Sequence, residues 1–215
     1  MRVVIAGGHG QIALRLERLL SRAGHQPVGL IRNPDQAADL EGTGAESVVL
    51  DLERASVDEL AAVVKGADAV VFAAGAGPNS GAARKETVDR GAASLLADAA
   101  ERAGVRRYLM VSSMGTDRAD PHSTAIFQVY LRAKAAADAD LRARDLDWTI
   151  VKPGRLTDGD GTGLVTTDAS SRPRETPRED VAATLLTALE DGLAIRKEFA
   201  LLTGKSRIRE ALAAL

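Results

Sequence analysis

The sequence predicts an α/β fold built on a doubly wound, parallel β-sheet, and three observations predict it. Short apolar runs alternate with helical stretches along most of the 215 residues. The first run, Val3 to Ala6, is apolar at every position, as a strand covered on both faces requires. A glycine-rich turn follows that run and leads into a helix, the place where such sheets bind nucleotides.

The elements follow in order. Val3–Ala6 is the first strand, closed by Gly7 and Gly8. Ile12, Leu16, Leu19 and Leu20 recur at helical spacing, and Gly24 ends that helix. Pro27–Ile31 and Ser47–Leu50 read as the second and third strands. Ser56 is an N-cap for a short helix ending near Gly66, and Ala69–Ala73 is the fourth strand. After a glycine, proline and asparagine loop (Gly75–Gly81), a helix is predicted over Thr87–Ala103 with Val88, Leu95 and Ala99 on one face. Arg107–Val111 is the fifth strand, Thr124–Arg144 a helix, and Trp148–Lys152 the sixth strand, ended by Pro153 and Gly154. The rhythm then changes. A loop (Asp158–Gly163), a short strand (Leu164–Thr167), a helix (Arg178–Leu189), a strand (Phe199–Leu202) and a terminal helix complete the chain. Residues 154–215 are too few for a core of their own, so one domain is expected, with this segment as a small cap on the carboxyl edge of the sheet.

Composition bounds the function. Apolar residues make up 45% of the chain, charged residues 27% and aromatics only 3%, so the core must be built from Val, Leu, Ile and Ala. With 28 basic against 30 acidic residues there is no basic field of the kind that binds nucleic acid or an anionic membrane. The absence of cysteine excludes disulfides, thiolate metal sites and cysteine nucleophiles. No run reaches the roughly 18 apolar residues of a membrane span. A strand pattern that begins at Arg2 leaves no room for a signal sequence, and a cytoplasmic protein is expected. No His/Asp/Glu cluster suggests a metal. Monomer and homodimer both remain open.

The turn itself, Gly7-Gly8-His9-Gly10-Gln11-Ile12-Ala13, has the form of a dinucleotide-binding loop in a Rossmann-type domain. Gly7 permits the tight turn and Gly10 lets the backbone approach a pyrophosphate. Gln11 and Ile12 open the helix whose N–H groups and dipole favour the phosphates, and Ala13 allows close packing of helix on strand. The second strand ends Leu30-Ile31-Arg32-Asn33, with no carboxylate where an NAD site usually carries one. Arg32 can instead bind a 2′-phosphate, or stack on the adenine. NADP(H) is the expected cofactor, with NAD(H) the alternative.

Taken together, GGHGQIA (Gly7–Ala13), LIRN (Leu30–Asn33), LDLE (Leu50–Glu53), FAAGAG (Phe72–Gly77), VSSMG (Val111–Gly115), YLRAK (Tyr130–Lys134) and WTIVKPG (Trp148–Gly154) resemble the short-chain dehydrogenase/reductase superfamily. The likeness is greatest to its compact atypical members, which include epimerase/dehydratase-like, flavin/biliverdin reductase-like and NmrA-like proteins. The resemblance spans the chain. It implies that Asp51 and Leu52 flank the adenine, that Ala73, Ala74 and Gly75 line the adenosine ribose, and that Pro153 and Gly154 lie beside the nicotinamide.

Tyr130 and Lys134, four residues apart on a helix, share a face. A cation there would lower the phenol's pKa from about 10 and fit Tyr130 for general acid–base work. Otherwise Tyr130 merely packs, and Lys134 binds ribose hydroxyls. Ser113, with Ser112 beside it on the cofactor side, stands at the carboxyl end of the fifth strand and can hold a substrate oxygen. These residues predict an oxidoreductase acting on a small-molecule carbonyl, quinone or flavin-like acceptor. A non-catalytic dinucleotide-binding regulator and a sugar-nucleotide epimerase or dehydratase are the alternatives.

Overall fold

The computed structural model describes residues 1–77 and 79–215. Pro78, inside the loop predicted over Gly75–Gly81, lies outside the described residues. The chain runs β1 (Arg2–Ala6), α1 (Gln11–Arg22), β2 (Gln26–Ile31), a short 3-10 turn, α2 (Ala37–Glu41), β3 (Glu46–Val49), α3 (Val57–Val64) and β4 (Ala69–Phe72). There follow α4 (Ala82–Arg84), a π-helical stretch (Lys85–Ala92), α5 (Ala93–Ala103), β5 (Arg107–Val111), α6 (Ile126–Arg142) and β6 (Asp147–Pro153). The last part holds β7 (Arg155–Thr157), β8 (Leu164–Thr166), β9 (Glu175–Pro177), α7 (Arg178–Glu190), β10 (Lys197–Thr203), β11 (Ser206–Arg207) and α8 (Ile208–Ala213).

Among the described residues nine strands form the main sheet, in the order β11-β8-β10-β6-β5-β4-β1-β2-β3. From β3 to β10 all pairings are parallel, and β8 and β11 pair antiparallel at the far edge. The strand order reverses between β1 and its neighbours β2 and β4, which opens a crevice above their carboxyl ends. This is the Rossmann-type arrangement expected.

Alternation along each strand splits the core into two layers. Val3 and Ile5 face α1 and α7 with Val71, Leu109, Val151 and Leu201, whereas Val4 and Ala6 face α3 and α5 with Val70, Phe72, Tyr108 and Met110. Trp148 belongs to the second layer.

The segment 154–215 does more than cover the carboxyl edge. β10 extends the parallel sheet beside β6, and Val181 and Leu185 of α7 sit in the same layer as Leu16 and Leu20 of α1. Arg107 ties these parts together, donating to the carbonyls of Asp147, Ala188 and Leu193 and to the Thr149 hydroxyl.

The helix predicted from Thr87 begins earlier, at Ala82, and its first half is π-helical. The wider turn changes which side chains point inward: Lys85, Val88, Asp89 and Ala92 are all buried.

Candidate functional site

Gly7 stands at φ +82°, and a Cβ there would lie 2.6 Å from the Ala74 Cα. The tight turn and the close passage of the β1 and β4 ends therefore both require glycine. A side chain at Gly8 would meet the Gly29 Cα of β2 at 2.7 Å. Gly10 has ordinary backbone angles and is the N-cap of α1, with no side-chain cap and no acidic residue in the first turn. The helix thus presents uncapped N–H groups and its positive end to the crevice, as an anion needs. A Cβ on Gly10 would crowd the Gly7 carbonyl at 3.0 Å. Backbone donors and glycine-sized walls at this point fit the pyrophosphate of a dinucleotide.

Three adjoining clefts run along the carboxyl edge. The first, about 270 Å³, is lined by Gly7, Gly10, Arg32, Asp51, Leu52, Ala73, Ala74 and Gly75, all of them predicted, together with Glu53 and Arg84. Asn33 does not line it: its side chain turns away to accept a hydrogen bond from the Asp35 N–H at 3.1 Å, capping the 3-10 turn. Gln36 lines the cleft instead.

The end of β2 carries no carboxylate, as expected, but the fold brings one to it. Glu53 accepts from Arg84 at 2.7 Å and from the Thr87 hydroxyl at 2.6 Å, and lies 3.5 Å from Arg32. The Arg84 and Thr87 hydrogen bonds hold its carboxyl below the usual range. Two guanidiniums, Arg32 and Arg84, and two carboxylates, Asp51 and Glu53, therefore share this cleft.

The second cleft, about 710 Å³, holds Gly10, Gln11, Ile12, Ala73, Ala74, Gly75, Ser112, Tyr130 and Lys134, so it continues from the first across the same backbone. Lys134 is 3% exposed and donates to the carbonyls of Val111 (3.2 Å) and Ala74 (3.4 Å). Its Nζ lies 3.5 Å from Oδ1 of Asp89, which is fully buried and also accepts from the Ala76 N–H. Burial pulls the Lys134 ammonium below its usual pKa, and Asp89 and Asp138 oppose that pull.

The lysine does not lower the tyrosine's pKa. Burial pushes the Tyr130 phenol up to about 12, with Asp89 and Asp138 adding to the rise and a hydrogen bond with Ser113 opposing it. The Lys134 charge is already matched by Asp89, so the carboxylates set the field at the phenol. Tyr130 is accordingly a proton-carrying acid at neutral pH. Its ring stacks on Phe127 (centroids 6.0 Å apart) and lies 5.5 Å from the Lys85 ammonium. The chain's other tyrosine, Tyr108, is a core residue whose hydroxyl donates to the Ala93 carbonyl.

Ser113, Pro153 and Gly154 line a third cleft of about 650 Å³, and Phe127 forms the wall it shares with the second. At its base Gly154 passes close to the Arg174 carbonyl, 2.5 Å from where a Cβ would sit.

Other polar residues have structural partners. His9 meets Asp39 at 2.7 Å, and His25 meets Glu190 at 3.1 Å. Among the described residues no group of His, Asp or Glu could hold a metal, and no helix is long and apolar enough to cross a membrane. Asp180 does more than begin α7. It is 2% exposed and accepts from the N–H groups of Thr162 (3.2 Å) and Gly163 (2.8 Å), fixing the loop over Asp158–Gly163.

Asp89, Lys85, Glu53 and Arg84 were not singled out from the sequence. Lys85 and Asp89 share i,i+4 spacing next to apolar Val88, which is the one local signal that could have marked them.

The family model for NAD(P)H-binding proteins matches residues 7–192. YhfK of Bacillus subtilis, described as an uncharacterized sugar epimerase, is 36% identical over 213 residues, 99% of each chain. A solved structure from Bacillus halodurans, described as an NAD-dependent epimerase/dehydratase, is 36% identical and superposes over the whole of both chains with a TM-score of 0.91. The oxidoreductase ylbE from Lactococcus lactis is 27% identical with a TM-score of 0.86, over 100% of this chain and 96% of that one.

Proposed function

The chain belongs to the NAD(P)H-binding family, and from that premise we propose that it is an NADP(H)-dependent oxidoreductase of the atypical short-chain dehydrogenase/reductase type, reducing a small carbonyl, quinone or flavin-like acceptor with Tyr130 as the proton donor. The observation that carries the reading is continuity. One crevice, walled by Gly10 and Ala73–Gly75, leads from the Arg32–Arg84 end to Tyr130, Lys134 and Ser112.

In this reading the first cleft takes the adenosine half, the uncapped start of α1 takes the pyrophosphate, and Pro153 and Gly154 flank the nicotinamide. Bound there, the reduced dinucleotide supplies a hydride. As the acceptor's carbon gains it, the acceptor's oxygen gains a proton from the Tyr130 hydroxyl. A phenol that is fully protonated at neutral pH suits that direction of transfer. Ser113 orients the same oxygen, and Lys134 holds ribose hydroxyls while Asp89 keeps its charge matched. Arg32 and Arg84 would grip the 2′-phosphate of NADP(H), supporting it over NAD(H).

Two relatives carry an epimerase description. Here β8, β10 and α7 from segment 154–215 are committed to the main sheet and core, which leaves little of it to build a nucleotide-sugar pocket and favours reduction.

The test is a calorimetric titration of the purified protein with NADPH and with NADH, followed by an acceptor screen read as loss of dihydronicotinamide absorbance. NADPH binding with turnover of a carbonyl, quinone or flavin is expected. Tight binding with no turnover across the screen would favour a dinucleotide-sensing regulator.

A further inference from the structure

The third cleft carries a charge pattern that the hydride chemistry does not require. Three arginines line it, Arg118, Arg155 and Arg174, and among the described residues no carboxylate does. Arg155 is engaged by Glu175, and Arg118 lies 3.8 Å from its neighbour Asp117, which is not among the lining residues. Arg174 is different. Its Nε is buried and has no hydrogen-bond partner among the described residues, while its backbone is pinned by the Arg155 N–H on its carbonyl and by the close approach of Gly154. A buried guanidinium donor left unpaired is costly, and an acceptor from a ligand would relieve it.

The opposite wall is apolar. Met114, Leu131 and Phe127 form it, and Phe127, 62% exposed, also borders the cleft that holds Tyr130. An exposed aromatic between two clefts is a platform for a flat apolar body. The volume, about 650 Å³, suits one small organic molecule.

We propose that this cleft binds the acceptor substrate through an anionic group, so that the substrate is an apolar-bodied carboxylate or phosphate. The anion sits on Arg174 and Arg118, the body lies on Phe127 and Met114, and the reducible oxygen reaches Ser113. Planar guanidiniums pair with either anion in the same two-pronged way, so the two sources share one recognition chemistry. That the occupant is the substrate rests on the oxidoreductase reading; that the cleft selects an anion does not.

The experiment titrates the NADPH-loaded protein calorimetrically with 2-naphthoate, 2-naphthyl phosphate and the neutral 2-naphthamide, which differ only in the group offered to the arginines. At least one anion should bind about tenfold or more tightly than the amide, and the better anion identifies the source. Arg174→Gln should abolish that preference, and Arg118→Gln, on an exposed side chain that cannot disturb the core, should reduce it severalfold. Thermal unfolding confirms that both variants fold. Equal binding of amide and anions, a preference surviving in both variants, or no binding of any probe at millimolar concentration would overturn the proposal. A titration with NADPH, and the same probe titrations on the dinucleotide-free protein, separate the two readings: failure of NADPH to bind removes the oxidoreductase reading, whereas loss of anion preference removes only this one.

Discussion

Lys134 and Asp89 face each other inside the protein, Nζ to Oδ1 at 3.5 Å, the one 3% exposed and the other fully buried. Each leaves the other's charge unmatched if removed. Asp89→Ala should destabilise the fold by about 3–5 kcal/mol, the usual cost of orphaning a buried ion. Adding Lys134→Met to that variant should restore part of the loss. Urea denaturation of the wild type, both single variants and the double variant measures this coupling, and strict additivity would show that the pair does not interact.

Tyr130→Phe keeps the ring on Phe127 and deletes only the proton donor. Turnover of any acceptor found should fall by about 10²–10⁴-fold, the scale of general acid catalysis, with NADPH affinity little changed. Because burial holds the phenol near 12, the wild-type reduction rate should show no loss from Tyr130 ionisation between pH 6 and about 10. A variant as fast as the wild type would exclude Tyr130 as donor.

In the first cleft, Glu53 competes for Arg32 and Arg84. Arg32→Ala should weaken NADPH by roughly 1.5–3 kcal/mol while sparing NADH. Glu53→Gln should free both guanidiniums and sharpen the preference for NADPH. Parallel titrations with the two dinucleotides decide it, and equal losses for both in Arg32→Ala would make that residue an adenine platform.

Gly10→Asp should abolish binding of both dinucleotides at modest cost to the fold. The glycine's backbone angles are accessible to any residue, but a carboxylate would stand at the uncapped start of α1, where the proposed function puts the pyrophosphate. Calorimetry beside a thermal unfolding scan reads both effects.

Glu17, on α1 beneath Gly29, is fully buried, and burial raises its carboxyl from 4.5 to about 8. The folded state therefore holds a proton that the unfolded chain has released. The stabilising contribution is complete below pH 4.5 and is lost as pH rises to about 8. Glu17→Gln removes this titration. The stability of the variant relative to the wild type should climb across that window by up to about 1.4 kcal/mol per pH unit. A pH-independent difference would contradict the raised pKa.

Much of the frame was legible because its signals are local. The apolar run Val3–Ala6, the glycine turn and the helix from Gln11 follow one another directly, and each reports its own geometry. Tyr130 and Lys134 fall in one cleft because four residues bring a helix back to the same face. The π-helical turns over Lys85–Ala92 were not legible, since nothing in KETVDRGA distinguishes them from an α-helix until Lys85 and Asp89 find partners in α6 and the Gly77 loop. Asn33, at the end of the second strand, stays out of the cleft lining for a similar reason: its side chain caps the 3-10 turn.

The sequence by itself determined the parallel sheet, the crevice above β1 and the residues at its carboxyl ends, because side-chain periodicity and turn chemistry act over a few neighbouring residues. Only the tertiary structure decided the charges that meet there. Glu53 with Arg84 and Asp89 with Lys134 come from separate elements and meet only after packing, as Arg118 and Arg174 come to line one cleft. A carboxylate's pKa, or an arginine's need for a partner, depends on that burial and not on the neighbours in the chain. That is why Tyr130 was found as a residue from its spacing, whereas its acidity was set first by its burial in the fold, with Asp89 and Asp138 adding to it.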